Sequence, residues 1–455
     1  MVGLGVTGIA SVRYALARGA KVTICERTDS QEIREKIKEI TTGYEVDVVL
    51  GEGYLVGLNY HDLVVLSPGV DPATPEITLV KESGVPIHND VTLFLEEWNG
   101  RGHTIGVTGS NGKSTTVSII YELLKANNIP TKLGGNIGVS PLDWLTNKEI
   151  ADGTVVILEV SSFLLEQFSK EHYFDTFLLL NISDNHLNRY EGSIEKYMQV
   201  KLQGVAHKHT KLIVSGEDKL FYERASEMSG AENILSVHTK TIPEGNGVFI
   251  KNDTVVYKHE DHESVLLTDI NKNKLIGSHN KENIVFALAS ILDLNTKIEN
   301  NNRAVASFAG LPHRIEYVTK VSGVVYINDS KSTSPDATIN ALSAIDEEKN
   351  IVLIAGGEDK GADFSVLAEY FKKYLKALVL LPGEGSSKIE QMAKGSIDKI
   401  SYAKNMKEAV LQAQEYAKSG DGVLLSPASA SKNAFKGFED RGEQFRKEVI
   451  LLSKK

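Results

Sequence analysis

Cysteine is nearly absent. Cys25 is the single one in 455 residues, which excludes an internal disulfide and any metal site built from several thiolates, and suits a reducing cytoplasm. A basic surplus is missing too: 50 lysines and arginines face 60 aspartates and glutamates, a formal net charge of −10. The cations are scattered, so no nucleic-acid partner is expected, and any bound polyanion has to be held by local devices. No apolar run approaches the roughly 18 residues that span a bilayer. The longest, 177–180 and 377–381, are strand-sized, so no membrane insertion is expected. The apolar opening is broken by Gly3, Gly5 and Gly8 and follows no basic stretch, which sets a signal peptide aside. Internal repeats and low-complexity segments are lacking, and repeat architectures go with them.

What is present is a succession of short β-branched runs separated by glycine turns and helical patterns, the signature of α/β units with parallel sheets. Candidate strands are 21–25, 63–66, 104–107, 155–160, 177–181, 351–355, 377–381 and 422–425. They are apolar continuously, as strands covered on both faces should be. A chain of this length exceeds one core, which stops growing near about 250–300 residues. Three domains are expected. The polar stretch Trp98-Asn99-Gly100-Arg101-Gly102 marks a first boundary, giving a domain 1–98. A second break near Gly310 separates 99–310 from 311–455.

Residues 104–115 read as a strand, a tight turn with Gly109 and Gly112, and a helix beginning near Lys113. Glycines allow successive backbone N–H groups to face one anion, and a helix N-terminus adds partial positive charge. The loop Gly109, Ser110, Asn111, Gly112, Lys113, Ser114 and Thr115 therefore predicts nucleotide binding. Lys113 would neutralise the β and γ phosphates, and Ser114 would offer its hydroxyl to Mg²⁺. The strict Walker pattern wants glycine where Val107 stands, so this is a variant loop.

A second glycine cluster, Gly3-Leu4-Gly5-Val6-Thr7-Gly8, opens a helix, and the following strand ends in Glu26. This is the order of a Rossmann-like nucleotide site, with a nucleotide diphosphate as good a ligand as NAD. Only Met1 and Val2 precede the cluster, so either the first strand is truncated or the start is misassigned, and a weakened sheet edge is expected.

Glu159 ends a buried strand, where α/β proteins bind ligands, and offers a carboxylate to the Mg²⁺ held by Ser114. Asn136, between glycines, suits a hydrogen bond to a substrate carboxylate or phosphoryl oxygen, or else a left-handed turn. His186 lies in the polar stretch after strand 177–181, where a lone histidine is most simply solvated.

The motifs taken together resemble the Mur ligase family along nearly the whole chain. Their carriers include the two glycine loops, Ser67-Pro68-Gly69, Gly134-Gly135-Asn136-Ile137-Gly138, Leu158-Glu159-Val160-Ser161-Ser162-Phe163, His186-Leu187-Asn188-Arg189-Tyr190, Leu311-Pro312-His313-Arg314, Asn328-Asp329-Ser330-Lys331-Ser332-Thr333 and Ser426-Pro427-Ala428-Ser429-Ala430-Ser431. The resemblance implies a Rossmann-like N-terminal domain for a UDP-sugar, a central P-loop ATPase-type domain, and a Rossmann-like C-terminal domain for the incoming amino acid. It implies a cytoplasmic, monomeric enzyme using ATP and two Mg²⁺ ions. The substrates implied are UDP-N-acetylmuramoyl-L-alanine, whose carboxylate forms an acyl phosphate, and D-glutamate, whose amine attacks it.

By the same resemblance, His186 and a carbamylated Lys201 join Ser114 and Glu159 at the metals. Asn280 and Asn283 face adenine, while Arg314, Asp329 and Lys331 meet the phosphates and ribose. Thr333, Lys360, Ser431 and Phe438 form the D-glutamate pocket, and Val6, Thr7, Glu26, Ser67 and Gly69 meet the UDP moiety. The chain departs from the family at Asn185, where an acid is usual, at Thr28, where an arginine is found, and at Lys432, where an apolar residue is more usual. Alternatives are another amide ligase such as folylpolyglutamate synthase, which needs a pterin pocket, and a nucleotide-binding homologue without activity.

Overall fold

The computed structural model describes the chain apart from residues 183–186, 206–207, 276, 278, 346–349, 360, 432–433 and 455, and the side chains of 187 and 188. His186 and Lys360 thus lie outside the described residues. The chain forms two compact units, one of Met1–Asn271 with Lys281–Val305 and one of Lys272–Asn280 with Ala306–Lys455.

The first unit begins with parallel pairs. Thr23–Glu26 pairs with Asp47–Leu50, and Val64–Val65 pairs with Ile87–His88. Val2 bridges Cys25 on one side and Leu66 on the other. Its N–H donates to the Val65 carbonyl at 2.8 Å and its carbonyl accepts from Ser67 N–H at 2.9 Å. The expected weak edge is therefore not an edge: the short first strand runs between two others. Val2 is fully buried with Cys25, Val64, Leu66, Ile77 and Val80, and burying one valine contributes about 1.5–3 kcal/mol. The segment closes with helix Asp90–Trp98, whose N-cap Asn89 accepts from Val91 and Thr92 N–H in a reciprocal capping box with Thr92, worth about 1 kcal/mol.

The rest of this unit is built on a nine-stranded sheet. In spatial order it runs His262–Leu267, Thr254–His259, Gly247–Lys251, Asn233–His238, Lys211–Ser215, Thr176–Leu179, Thr104–Thr108, Val155–Glu159 and Thr131–Gly135. The last seven are parallel, and Thr254–His259 runs antiparallel to both of its neighbours, Gly247–Lys251 and His262–Leu267. The strands Thr104–Thr108, Val155–Glu159 and Thr176–Leu179 are buried along their whole length, which is why they read as unbroken apolar runs.

The second unit holds a six-stranded sheet. Glu316–Val321 runs antiparallel to Val324–Asn328, and Gly422–Leu425, Ile351–Ala355, Leu375–Leu380 and Ile400–Tyr402 continue in parallel. Alternate residues feed opposite cores: Ile351, Leu353 and Ala355 join Phe371 and Leu378, while Val352 and Ile354 join Phe445 and Val449. A period of two with both phases apolar places helices on both faces. Among the described residues no helix is long and apolar enough to cross a membrane.

Candidate active site

The strand Thr104–Thr108 delivers the chain to loop 109–112, and helix Lys113–Ala126 leaves it. Gly112 caps that helix with φ +83° and no side-chain cap, so the helix start presents backbone N–H groups and dipole to an anion. A Cβ there would lie 2.5 Å from Asn283 Oδ1, which explains the glycine and brings Asn283 to the loop. Asn283 Oδ1 also accepts from Thr116 Oγ1 at 3.3 Å. Asn181, which sequence reasoning took only as the end of a strand, pins the loop. Its Oδ1 accepts from Asn111 N–H at 2.9 Å and its backbone carbonyl from Ser110 N–H at 2.9 Å.

Two lysines converge on one carbonyl. Lys113 Nζ donates to Gly109 O at 2.8 Å and Ser110 O at 2.9 Å, and Lys201 Nζ donates to Gly109 O at 3.0 Å. Lys201 ends the helix Ile194–Lys201 yet is 1% exposed, with Nζ 4.5 Å from the Tyr197 ring centroid. Burial, then the charge of Lys113, pushes its pKa down to about 6, so the uncharged amine prevails at neutral pH.

Glu159 registers against Val107 on one side and Gly135 on the other. Asn136 Nδ2 donates to Glu159 Oε1 at 2.8 Å. Oε2 is buried and, among the described residues, has no hydrogen-bond partner. Leaving a carboxylate oxygen buried and unsatisfied is costly unless a donor or cation meets it. With buried Ser114 and Lys201 at the same strand mouth, the donor set of hydroxyl, carboxylate and a modifiable amine fits Mg²⁺.

At the first glycine cluster, helix Val6–Ala17 starts from Gly5 without a side-chain cap. A Cβ on Gly8 would fall 2.0 Å from Gly3 O, so the tight turn requires glycine. Val6 is exposed, Thr7 Oγ1 lies 3.2 Å from Ser67 Oγ, and Gly69 follows in an exposed turn. Glu26 is engaged by the backbone of the glycine loop and of its own: Oε2 accepts from Leu4 N–H at 2.8 Å and Oε1 from Thr28 N–H at 3.0 Å. These two bonds shape the loop. Lys36, absent from the sequence reading, donates to Leu4 O at 3.3 Å.

In the second unit Asp329 is buried. Its Oδ1 accepts from Ile315 N–H at 3.1 Å and its Oδ2 from Ser426 Oγ at 2.7 Å. Desolvation raises its pKa to about 6. Lys331 Nζ lies 5.3 Å from the ring centroid of Phe438, the first residue of helix Phe438–Leu452. Arg314 and Thr333 are exposed, Ser431 and Asn280 buried. Arg441, also missed, is wholly buried: Nε donates to Ser330 Oγ at 3.0 Å, Nη1 to Ser429 O at 3.0 Å and Nη2 to Ser330 O at 2.8 Å. It ties the loop carrying Asp329 and Lys331 to the loop carrying Ser431. The structure thus brings Asn136, Glu159, Lys113, Lys201 and Asn283 to the strand mouths of one unit, and Asp329, Lys331 and Phe438 together in the other.

Comparison with known proteins adds three family matches: a Mur ligase MurD-like N-terminal domain over residues 1–89, a Mur ligase middle domain over 107–291, and a Mur ligase glutamate ligase domain over 313–429. The UDP-N-acetylmuramoylalanine–D-glutamate ligase of Symbiobacterium thermophilum is 35% identical over 459 residues, covering 100% of this chain and 98% of that protein. Its counterpart from Clostridioides difficile is 35% identical over 454 residues, covering 99% and 98%. A crystal structure of MurF ligase from Thermotoga maritima in complex with ADP superposes with a TM-score of 0.55 at 18% identity, covering 99% of this chain and 95% of that one.

Proposed function

The chain belongs to the Mur ligase family, and from that premise we propose that it joins D-glutamate to UDP-N-acetylmuramoyl-L-alanine with ATP. The observation that carries the chemistry is Glu159. Its unsatisfied buried oxygen stands beside Asn136 at the mouth of the strand next to the phosphate loop.

Three domains divide the work: residues 1–98 hold the UDP-sugar, 99–310 the nucleotide, and 311–455 D-glutamate. Three separate groups of strands, in 1–98, 99–310 and 311–455, support this division. The alanyl carboxylate oxygen attacks the γ-phosphorus of ATP, the bond to the bridging oxygen breaks, and ADP leaves. The amine of D-glutamate then attacks the acyl carbon, losing a proton, and phosphate departs with the carboxylate oxygen.

Lys113 and the loop N–H groups neutralise and orient the phosphates, gaining most where charge spreads over the transferring group. Asn136 fixes Glu159 and offers a neutral amide to the substrate carboxylate without adding repulsion. Ser114, Glu159, His186 and Lys201 would hold two Mg²⁺ ions, which supply charge neutralisation at the phosphoryl oxygens. Lys201 serves as a carbamate, formed when its amine adds to CO₂ with loss of a proton; burial that favours the neutral amine supports this. Asn280 and Asn283 receive adenine, and Arg314, Asp329 and Lys331 the ribose and phosphates. Thr333, Lys360, Ser431 and Phe438 receive D-glutamate, and Val6, Thr7, Glu26, Ser67 and Gly69 the UDP moiety. The enzyme works as a cytoplasmic monomer; its one cysteine, buried, suits that compartment.

The test is phosphate release from ATP and Mg²⁺ with each acceptor pair. Release is expected with UDP-N-acetylmuramoyl-L-alanine plus D-glutamate. No release there, but release with a folate plus L-glutamate, overturns the assignment.

A further inference from the structure

Resting on the ligase reading above, we infer that Arg189 is a positioning residue that couples the loop bearing Ser67 and Gly69 to the segment that follows Glu159. Arg189 lies in the short turn Leu187–Tyr190. Its Nε and Nη2 donate to the two oxygens of Glu166 at 2.8 and 2.7 Å, and the Tyr190 hydroxyl donates to Glu166 Oε1 at 2.9 Å. The Glu166 side chain is only 11% exposed. A shielded, two-pronged pair of this kind fixes direction as well as distance, and lysine cannot reproduce it. The guanidinium also stacks over Phe163, 4.5 Å from its centroid, which sets the plane of the fork.

Held in this way, Arg189 faces Asp71, with Nη2 3.9 Å from Oδ1. Asp71 shapes the turn that follows Ser67-Pro68-Gly69: its Oδ1 accepts from Ala73 N–H at 2.9 Å, and Val70 N–H donates to Ser67 O at 3.0 Å. Asp71 is 61% exposed, so its ion pair alone is weak. Its value is positional, because Glu166 and Phe163 deny the arginine any other pose. On the opposite side, the Tyr190 ring lies 4.9 Å from that of Tyr197, which in turn carries Lys201 Nζ. One fork thus ties the UDP-substrate loop, the turn after Glu159 and the turn leading toward Lys201.

Two measurements test this. In steady-state assays with wild type, Arg189→Ala, Asp71→Asn and the double variant, Arg189→Ala should raise KM for UDP-N-acetylmuramoyl-L-alanine about fivefold. kcat should stay within about twofold and KM for D-glutamate should not change. The double variant should resemble Arg189→Ala alone, since both remove one coupling. In hydrogen exchange of substrate-free protein, segment 67–74 should exchange faster in Arg189→Ala while strand Ile351–Ala355 serves as an unchanged reference. Should Arg189→Ala fail to fold, Arg189→Lys, which keeps charge but not the fork, takes its place with the same expected direction. Equal rises in both KM values, additive effects in the double variant, or unchanged exchange in 67–74 overturn the inference. A wild type inactive on this substrate pair counts against the ligase reading instead, and the exchange result then decides the coupling by itself.

Discussion

Asn136 donates to Glu159 twice, from its side chain to Oε1 and from its backbone N–H to the carbonyl, both at 2.8 Å. The loop asparagine and the strand-end carboxylate are therefore one rigid unit. Asn136→Ala removes the donor from one carboxylate oxygen and leaves the carboxylate to swing. A hydrogen bond to a charged group is worth about 1.5–3 kcal/mol, so turnover should fall about 10- to 100-fold. The melting temperature should fall by about 2–4 °C as well, because Oε1 is then buried without its donor. Steady-state kinetics beside a thermal scan checks both, and a loss of turnover below twofold contradicts the assigned role.

Lys201→Ala removes a side chain buried against Thr108, Gly109 and Tyr197. Activity should drop by about 100-fold, the range seen when metal-supporting groups are deleted. The vacated space should admit a short carboxylate, so formate or acetate should restore part of the rate if the lysine serves as a carbamate. Absence of rescue across a concentration series contradicts the carbamate.

Asp329 carries a pH signature whose sign follows from its raised pKa, about 6 in the fold against 3.8 ordinarily. The protonated acid is favoured by folding, so its stabilising contribution is complete below pH 3.8 and is lost as pH rises through about 6. Asp329→Asn mimics that acid. It should gain stability over wild type progressively between pH 4 and pH 6, levelling above that at on the order of 3 kcal/mol. Denaturant unfolding of both proteins across this range checks it; a difference that shrinks with rising pH contradicts the desolvation argument.

Arg441→Met should leave Ser330 O and Ser429 O without their donor and free two loops from each other. A loss of about 2–3 kcal/mol in unfolding free energy is expected. KM for D-glutamate and KM for ATP should both rise, because Ser330 lies between Asp329 and Lys331 while Ser429 belongs to the loop of Ser431. Lost stability with both KM values unchanged would assign Arg441 to general stability alone.

The phosphate loop was legible because its glycines are dictated locally: only glycine fits beside Asn283 Oδ1 at position 112. Glu159 was legible as the charged end of an apolar run. Lys201 was not, since a lysine in Lys196-Tyr197-Met198-Gln199-Val200-Lys201 reads as solvated surface and only tertiary packing buries it; the family resemblance supplied it. Arg441 escaped for the same reason, its donors meeting carbonyls that no local pattern announces. Asn181 left a faint signal, a polar residue two places beyond the last strand residue Leu179. The hairpin of Gly247–Lys251 and Thr254–His259 left its signal only in Asn252 and Asp253, which with φ +49° and +62° make the two-residue turn that joins them, an antiparallel cue within an otherwise parallel α/β pattern. Val2 was misjudged because sequence order says nothing of spatial order in a sheet.

The central claim is that the alanyl carboxylate of UDP-N-acetylmuramoyl-L-alanine is activated as an acyl phosphate. Supplying that substrate with both carboxylate oxygens as oxygen-18, together with ATP, Mg²⁺ and D-glutamate, follows the atoms directly. The account predicts that each phosphate released by the enzyme carries one oxygen-18, read by mass spectrometry or phosphorus NMR, while the amide product retains the other. Amide product accompanied by unlabelled phosphate would contradict it.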